Sequence, residues 1–526
     1  MITLKSTSIL RIFFALAVVM VMTGAAFAMT YTVTNTDDSG SGSLRWAIES
    51  ANDNPGLDLI AFNIPGPGPH KIQPLTALPL IIDPVTIDGY TQPGTAQATY
   101  ASPATLLVEL DGSNVWDTGL NVWLAGNSTI RGLVINRFGD VAIHVHEGGG
   151  NVIEGNYIGT DVSGTVDLGN YDHGIRIWDS PDNTIGGTSP AARNVISGND
   201  HMGIQLLLPF CTGNRVQGNY IGTDATGTAA LGNGDHGILM SEEVSDTIIG
   251  PGNVISNSGG AAIEIGGEGT TTNHQIVGNL IGTNASGTGV LGNTFGIRLL
   301  DCSGNIVEDN IVANSQIVGI TVAGYPGVFP SSNNTVTGNT VKFSEGFGIQ
   351  IESSDNNIIY NNNFIDNGLS IGYQVVDHLG TGNVFHLDKP IGGNYWSEWT
   401  GPDADGDGFV DEPYTIWTPE GPYGEYGNQD NLPWASEDSW SNGCLIKQLI
   451  VQVDVLDLPK GTENSLKAKL ENAAKKLDDQ NIGAAINSLN AFINEVEAQR
   501  GKKIPEVDAD ALITAAQEMI AALEEL

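Results

Sequence analysis

GNYIGTDVSGTVDLGN, residues Gly155–Asn170, returns as GNYIGTDATGTAALGN at Gly218–Asn233 and as GNLIGTNASGTGVLGN at Gly278–Asn293. The copies start 63 and then 60 residues apart. A period this long marks a solenoid, in which each unit buries its apolar face only against its neighbours. A shorter period runs inside it. Strands of the form small-apolar-x-apolar begin at Gly119, Ala142, Gly174, Gly203, Gly237, Ala262, Gly296, Gly319 and Gly348, 23 to 34 residues apart. Further short strands lie between them, as in NTIGG at Asn183, NVISGN at Asn194 and NIVEDN at Asn305. Each coil therefore holds two or three strands joined by Asn, Gly and Asp turns, where the left-handed backbone region is needed. The side-chain period of two turns Ile175 and Ile177 inward and Arg176 and Trp178 outward. Coils stacked at about 4.8 Å align the inward Ile and Val into one core. Asn151, Asn214 and Asn305 stand at turn positions suited to amide ladders. The coils are too short for the four-stranded blades of a propeller, about 40–50 residues each. The sequence predicts a mainly β protein, a right-handed parallel β-helix with a small C-terminal all-α bundle.

The ends of a solenoid must be covered. Tyr31–Gly66 contains one amphipathic helix, with Leu44, Ala47, Ile48 and Ala51 on one stripe, which suits a lid. After the last coil come Trp396, Trp399, Trp417, Trp434 and Trp440, five of the nine tryptophans, read as a second cap. From Cys444 the composition turns to Ala, Leu, Lys and Glu. Leu466, Leu470, Ala473 and Leu477 form one helical stripe, Leu489, Phe492, Ile493 and Val496 a second, and Leu512, Ala516, Ile520 and Leu523 a third. The expected layout is residues 1–28 as signal peptide, 29–115 as N-terminal cap and first coils, 116–395 as β-helix, 396–442 as aromatic cap with an acidic loop, and 443–526 as helical domain.

The signal peptide is read from Lys5 and Arg11, the apolar run Ile12–Met22 and the small-x-small site Ala26-Phe27-Ala28. That run is shorter than the roughly 20 residues a bilayer needs, so export to the periplasm, cell surface or medium is expected, with no membrane span after cleavage. Net charge is −39. Of 21 Lys and Arg, two lie in the first 28 residues and nine follow Gly443, leaving ten on the β-helix and its caps. Nucleic acid, which demands clustered cations, is excluded as a partner. The acidity favours divalent cations and keeps a large repetitive surface soluble. Cys211, Cys302 and Cys444 are an odd set, and the first two fall three coils apart, about 14 Å, beyond disulfide reach.

Three constellations could carry chemistry. Asp403, Asp405, Asp407 and Asp411 alternate around Gly408 as the oxygen ligands of a calcium loop do, with Tyr414 where a bidentate Glu is usual. A structural Ca2+ is expected there. Next, the coil register places Asn121, His144, Arg176, Gln205, Leu239, Glu264, Arg298, Thr321 and Gln350 in one outward column. Trp123, His146, Trp178, Leu207, Ser241, Gly266, Leu300, Ala323 and Glu352 form the next. Trp123, His144, His146, Arg176 and Trp178 together make an aromatic-polar patch that could stack and hydrogen-bond sugars, unless the long turns before Gly174 and Gly237 cover it. Last, the pairs Asp172-His173, Asp200-His201 and Asp235-His236 precede three consecutive coils and offer carboxylate–imidazole couples for acid–base work or metal binding, the first and third as the candidate catalytic residues, though Asp and His are also ordinary turn residues.

Several segments resemble known families. Gly42-Ser43-Leu44-Arg45-Trp46-Ala47-Ile48 and TIDGYTQPGT at Thr86 are similar to the opening of secreted β-helix surface proteins. The Asn-rich coils with GGNYWSEWTGPDADGDGFVDEPYTI at Gly392–Ile416 resemble NosD-type periplasmic β-helix proteins and the carbohydrate-binding and sugar-hydrolysis repeat family, whose fold is pectate-lyase-like. SLNAFINEVEAQRGKKI at Ser488 resembles the FIMAH helical module. The resemblance implies fold and export rather than one activity. It leaves a polysaccharide- or cell-surface-glycan-binding protein as the leading expectation. The alternatives are a carbohydrate-active enzyme (lyase, epimerase or hydrolase) and a periplasmic accessory protein of a metalloenzyme.

Overall fold

The computed structural model describes residues 28–267, 271–325, 329–368, 371–388, 391–404, 408–419 and 425–438, then 446, 449–450, 453, 456, 458–478 and 481–524. The expected signal peptide up to residue 27, and Asp405, Asp407, Trp440 and Cys444, lie outside the described residues.

Among these residues the chain winds through three sheets of twelve strands each. Sheet A runs from Thr30–Val33 to Ile358–Tyr360, sheet B from His70–Ile72 to Tyr395–Trp396, and sheet C from Leu120–Trp123 to Tyr414–Thr418 and Glu425–Asp430. Each coil visits the three sheets in turn, and every strand pairs in parallel with its counterpart one coil on. The last pair of sheet C is antiparallel and ends the stack. This is a parallel β-helix, and the inward residues show why it holds. Ile143, Ile175, Ile204, Ile238, Ile263, Ile297, Ile320 and Ile349 follow one another in register on sheet C, all fully buried. Each contributes about 1.5–3 kcal/mol by leaving water.

The turns carry buried polar ladders. Between sheets A and B, Nδ2 of Asn156 donates to Oδ1 of Asn194, which donates in turn to Asn219, and Asn253, Asn279, Asn310, Asn339, Asn362 and Asn394 continue the chain. Asn194, for example, also accepts the Asn156 N–H from the coil before it, and Asn156 donates to the Ile130 carbonyl. The sharp turn would otherwise strand these groups in the interior, so the ladder removes a desolvation cost. Asn151–Asn183–Asn214 and Asn305–Asn334–Asn357–Asn383 form a second ladder between sheets C and A. His274 stands in for Asn there, its Nδ1 accepting the Thr247 N–H at 3.2 Å. Because each amide points its N–H toward the C-terminal end, the last one needs an acceptor. Asp430 supplies it after Asn394 and Asp377 after Asn383.

The quoted repeat turns out to be a two-coil unit. Its strands Tyr157–Ile158, Tyr220–Ile221 and Leu280–Ile281 alternate along sheet B with Val195–Ile196 and Val254–Ile255, which lack the text. Within each copy the chain makes a short excursion held by one residue. Asp161 Oδ1 accepts the N–H groups of Thr165 and Val166, Asp224 those of Thr228 and Ala229, and Asn284 those of Thr288 and Gly289. The excursions stack, Ala225 N–H donating to Gly164 O and Ala285 N–H to Gly227 O. Gly164 and Gly227 have φ near +67° and +69°, and a Cβ on either would meet the next loop's Ala Cβ within 2.7 Å. Together they cover the outer face of sheet B over Leu106, Val134, Tyr157, Val195, Tyr220 and Val254.

Helix α1, Leu44–Asn52, closes the N-terminal end with Leu44, Ala47, Ile48 and Ala51 buried, and Ser43 caps it by accepting from Trp46 N–H. At the other end Trp396 lies between Phe364 and Tyr414, centroids 4.6 and 4.3 Å away, and Phe409 packs on Trp434 at 4.2 Å. Those tryptophans are cap residues. Cys211 and Cys302 are buried free thiols, and burial raises the Cys302 pKa to about 12. Helices α2 (Lys460–Asp478), α3 (Ile482–Gln499) and α4 (Glu506–Glu524) form a separate core from Leu466, Leu470, Ala473, Leu489, Phe492, Val496, Leu512, Ala516 and Leu523. Among the described residues no helix is long and apolar enough to cross a membrane.

Candidate functional site

The outer face of sheet C carries the aromatic-polar patch. Its two columns pair in the expected register, with His144 between Asn121 and Arg176, and His146 between Trp123 and Trp178. Alternation turns these side chains out while Leu120, Val122, Ile143 and Val145 turn in and are buried. The Trp123 and His146 rings stack with centroids 5.8 Å apart and planes 15° apart. His144 lies parallel to His146 at 5.7 Å, and Trp178 meets His146 edge-on at 5.9 Å. Trp123 keeps 39% of its surface exposed. The excursions from the repeat copies do not reach this face: they lie on sheet B, where Tyr157 Oη donates to Ala104 O.

The polar members are set by their neighbours. Burial, then the nearby Arg176 charge, lowers the His144 pKa to about 4, so its ring is neutral at ordinary pH. Its Nε2 and Asn121 Oδ1, adjacent in one column, have no hydrogen-bond partner among the described residues. Arg176 is already engaged. Its Nη2 donates to Asp172 Oδ2 at 2.7 Å and its Nε to Gln205 Oε1 at 2.8 Å. Farther along the same column, Arg298 Nη1 binds Glu264 Oε2 at 2.6 Å, an ion pair on the sheet surface.

The first and third Asp–His pairs serve the turns. His173 Nδ1 accepts the Met202 N–H at 3.3 Å and lies 3.1 Å from Asp172 Oδ1. Burial outweighs the Asp172 charge and lowers the His173 pKa to about 4. His236 Nδ1 accepts the Ala261 N–H at 3.0 Å, and its Nε2 is 3.5 Å from Asp235 Oδ1. A neutral imidazole has one acceptor nitrogen. In both rings the backbone of the next coil occupies it, so neither presents a free lone pair for proton abstraction.

In the acidic loop, Asp403 Oδ2 accepts the Gly408 N–H at 3.0 Å and Asp411 Oδ2 the Ala404 N–H at 2.9 Å. Asp405 and Asp407, the other two expected ligands, fall outside the described residues, and among those described no set of three metal-ligating side chains converges.

Sequence reasoning missed a third outward feature. Trp116 and Tyr171 each stand four residues before a sheet C strand and have their centroids 4.7 Å apart. Lone aromatics in turns give no signal until the register shows that they meet.

Two family descriptions match this chain: a right-handed beta helix region over residues 230–387, and the FIMAH domain over residues 446–521. The chain is a right-handed parallel β-helix carrying a FIMAH domain. No curated protein matches it. Solved β-helix structures similar to it include the mannuronan C-5 epimerase AlgE6 A-module of Azotobacter vinelandii, 15% identical over 68% of this chain and 100% of that one, with a TM-score of 0.40. A double mutant of the periplasmic alginate epimerase AlgG is 14% identical over 63% and 71%, TM-score 0.36. Pectate lyase Pel9A is 17% identical over 74% and 84%, TM-score 0.31. At these values the likeness carries no weight for function. The FIMAH segment is the three-helix unit α2–α4, and the β-helix segment ends within the coils that precede the aromatic cap.

Proposed function

We propose that this is a secreted or surface-associated β-helix protein that binds polysaccharide on the outer face of sheet C. The observation that carries the reading is the Trp123–His146 stack beside Trp178, on three consecutive coils of sheet C, with Trp123 exposed. Two coils at about 4.8 Å set Trp123 and Trp178 roughly 10 Å apart, a spacing on which alternate sugars of a chain can stack. Binding rather than catalysis is the reading, because the acceptor nitrogens of His173 and His236 are taken by backbone N–H groups. The acidic loop from Asp403 to Asp411 belongs to the same proposal as a structural calcium site. The test is calorimetric titration of the full mature chain with a panel of glycan oligomers, alongside an ultraviolet assay for unsaturated sugar products. Binding without product supports the reading, and product release would replace it with the lyase alternative.

A further inference from the structure

Trp116, Gly139 and Tyr171 occupy one register position in three consecutive coils, each four residues ahead of a sheet C strand. Backbone bonds from Gly139 N–H to Val115 O and from Tyr171 N–H to Phe138 O hold that alignment. Residues two coils apart are separated by about 10 Å, too far for direct ring contact unless the middle position is empty. It is a glycine, and a Cβ there would stand 2.6–2.9 Å from Trp116 atoms. The Trp116 ring leans across the gap and meets Tyr171 at 4.7 Å with planes 50° apart. Despite this contact Trp116 is 77% exposed and Tyr171 52% exposed. The pair borders a cleft of about 430 Å³ that also takes in Ser113, Asn114, Arg137 and Asp200. That volume falls within the range of small-molecule sites.

The charge of the cleft limits what it accepts. Arg137 donates to Asp111 at 2.7 and 3.0 Å and to Glu109 at 3.2 Å, and Lys71 reaches the same two carboxylates at 3.1 and 3.5 Å. Arg137 and Asp200 line the cleft itself, and behind them Glu109, Asp111 and Lys71 bring the local set to three carboxylates against two cations. On the neighbouring patch Arg176 is likewise engaged by Asp172. Among the described residues a carboxylate-bearing sugar would meet no cation that is not already paired with a carboxylate at either place. Trp116 and Trp123 lie seven residues apart on one chain segment, at most about 25 Å, so one oligosaccharide can touch both.

We propose that the Trp116–Tyr171 cleft is a second sugar-binding subsite and that the glycan class is neutral; this rests on the binding reading above. The probes are cellohexaose, mannohexaose, xylohexaose and maltohexaose, set against hexaguluronate and hexagalacturonate, with binding read by calorimetry and tryptophan fluorescence on the full mature chain. At least one neutral hexasaccharide is expected to bind, the acidic ones at least tenfold more weakly. Trp116→Ala and Tyr171→Ala should each weaken the neutral hexasaccharide about tenfold without shifting the melting temperature, and Trp116→Phe should restore most of it. If Trp123→Ala abolishes binding while Trp116→Ala and Tyr171→Ala leave it intact, the second subsite is wrong and the sheet C reading stands. Tighter binding of the acidic hexasaccharides overturns the ligand class alone. Failure of every hexasaccharide to bind the unmodified chain overturns both.

Discussion

Sheets B and C share one backbone plan, yet their outer faces are treated in opposite ways. On sheet B, Tyr157 and Tyr220 point outward and are then buried under the stacked excursions of the repeat. On sheet C, Trp123, His146 and Trp178 point outward and nothing among the described residues lies over Trp123 to the same extent. The text that recurs most faithfully therefore builds cover, where each copy must match the next to stack. The candidate site lies where neighbouring coils differ. A repeat that packs on itself constrains sequence for stability, whereas an open face is free to hold whatever a ligand requires.

Exchange of one aromatic on each face should split stability from binding. Tyr220→Ala is expected to cost about 3–5 kcal/mol of stability, as deletion of a buried aromatic does, with glycan affinity retained. Urea unfolding and calorimetry measure the two effects. Trp123→Ala and Trp178→Ala should do the reverse, each weakening glycan binding by about 1–3 kcal/mol with the melting curve unchanged. A drop in stability without loss of binding would place sheet C in the same class as sheet B.

Two further effects concern the end that closes both sheets. Calcium should raise the melting temperature, adding about 2.7 kcal/mol of stability at a hundredfold excess over the dissociation constant. Asp405→Ala and Asp407→Ala should remove the response, and a melting curve indifferent to a chelator would count against the loop as a site. Asp430 adds a pH dependence. Burial lifts its pKa to about 7, opposed by hydrogen bonds from Asn394, Trp396 and Leu432. The folded state then holds a proton that the unfolded state releases near 3.8. Its contribution is full below that pH and is lost as pH rises through about 7. The difference in stability between the wild type and Asp430→Asn should follow that slope from pH 4 to 8, and a flat difference would show that the hydrogen bonds prevail.

The architecture was legible because a solenoid repeats a local rule. Inward Ile every second residue, punctuated by Asn and Gly turns, set the columns of sheet C, and Trp123, His146 and Trp178 stand in the order read from the chain. The ladders at Asn151 and Asn305 and the lid stripe at Leu44, Ala47, Ile48 and Ala51 follow from the same patterning. Tertiary structure alone decided the rest. Which face the excursions fold onto depends on where each turn leaves its strand, and they chose sheet B. Whether His173 and His236 keep a free nitrogen depends on which backbone N–H of the next coil points at them. That Trp116 reaches Tyr171 depends on an empty side-chain position one coil away, at Gly139. Periodicity acts along the chain and can be read there. Cover, tautomer and contact between coils are set by distances of a few ångströms between residues 20 to 60 positions apart, and only the folded stack brings those together.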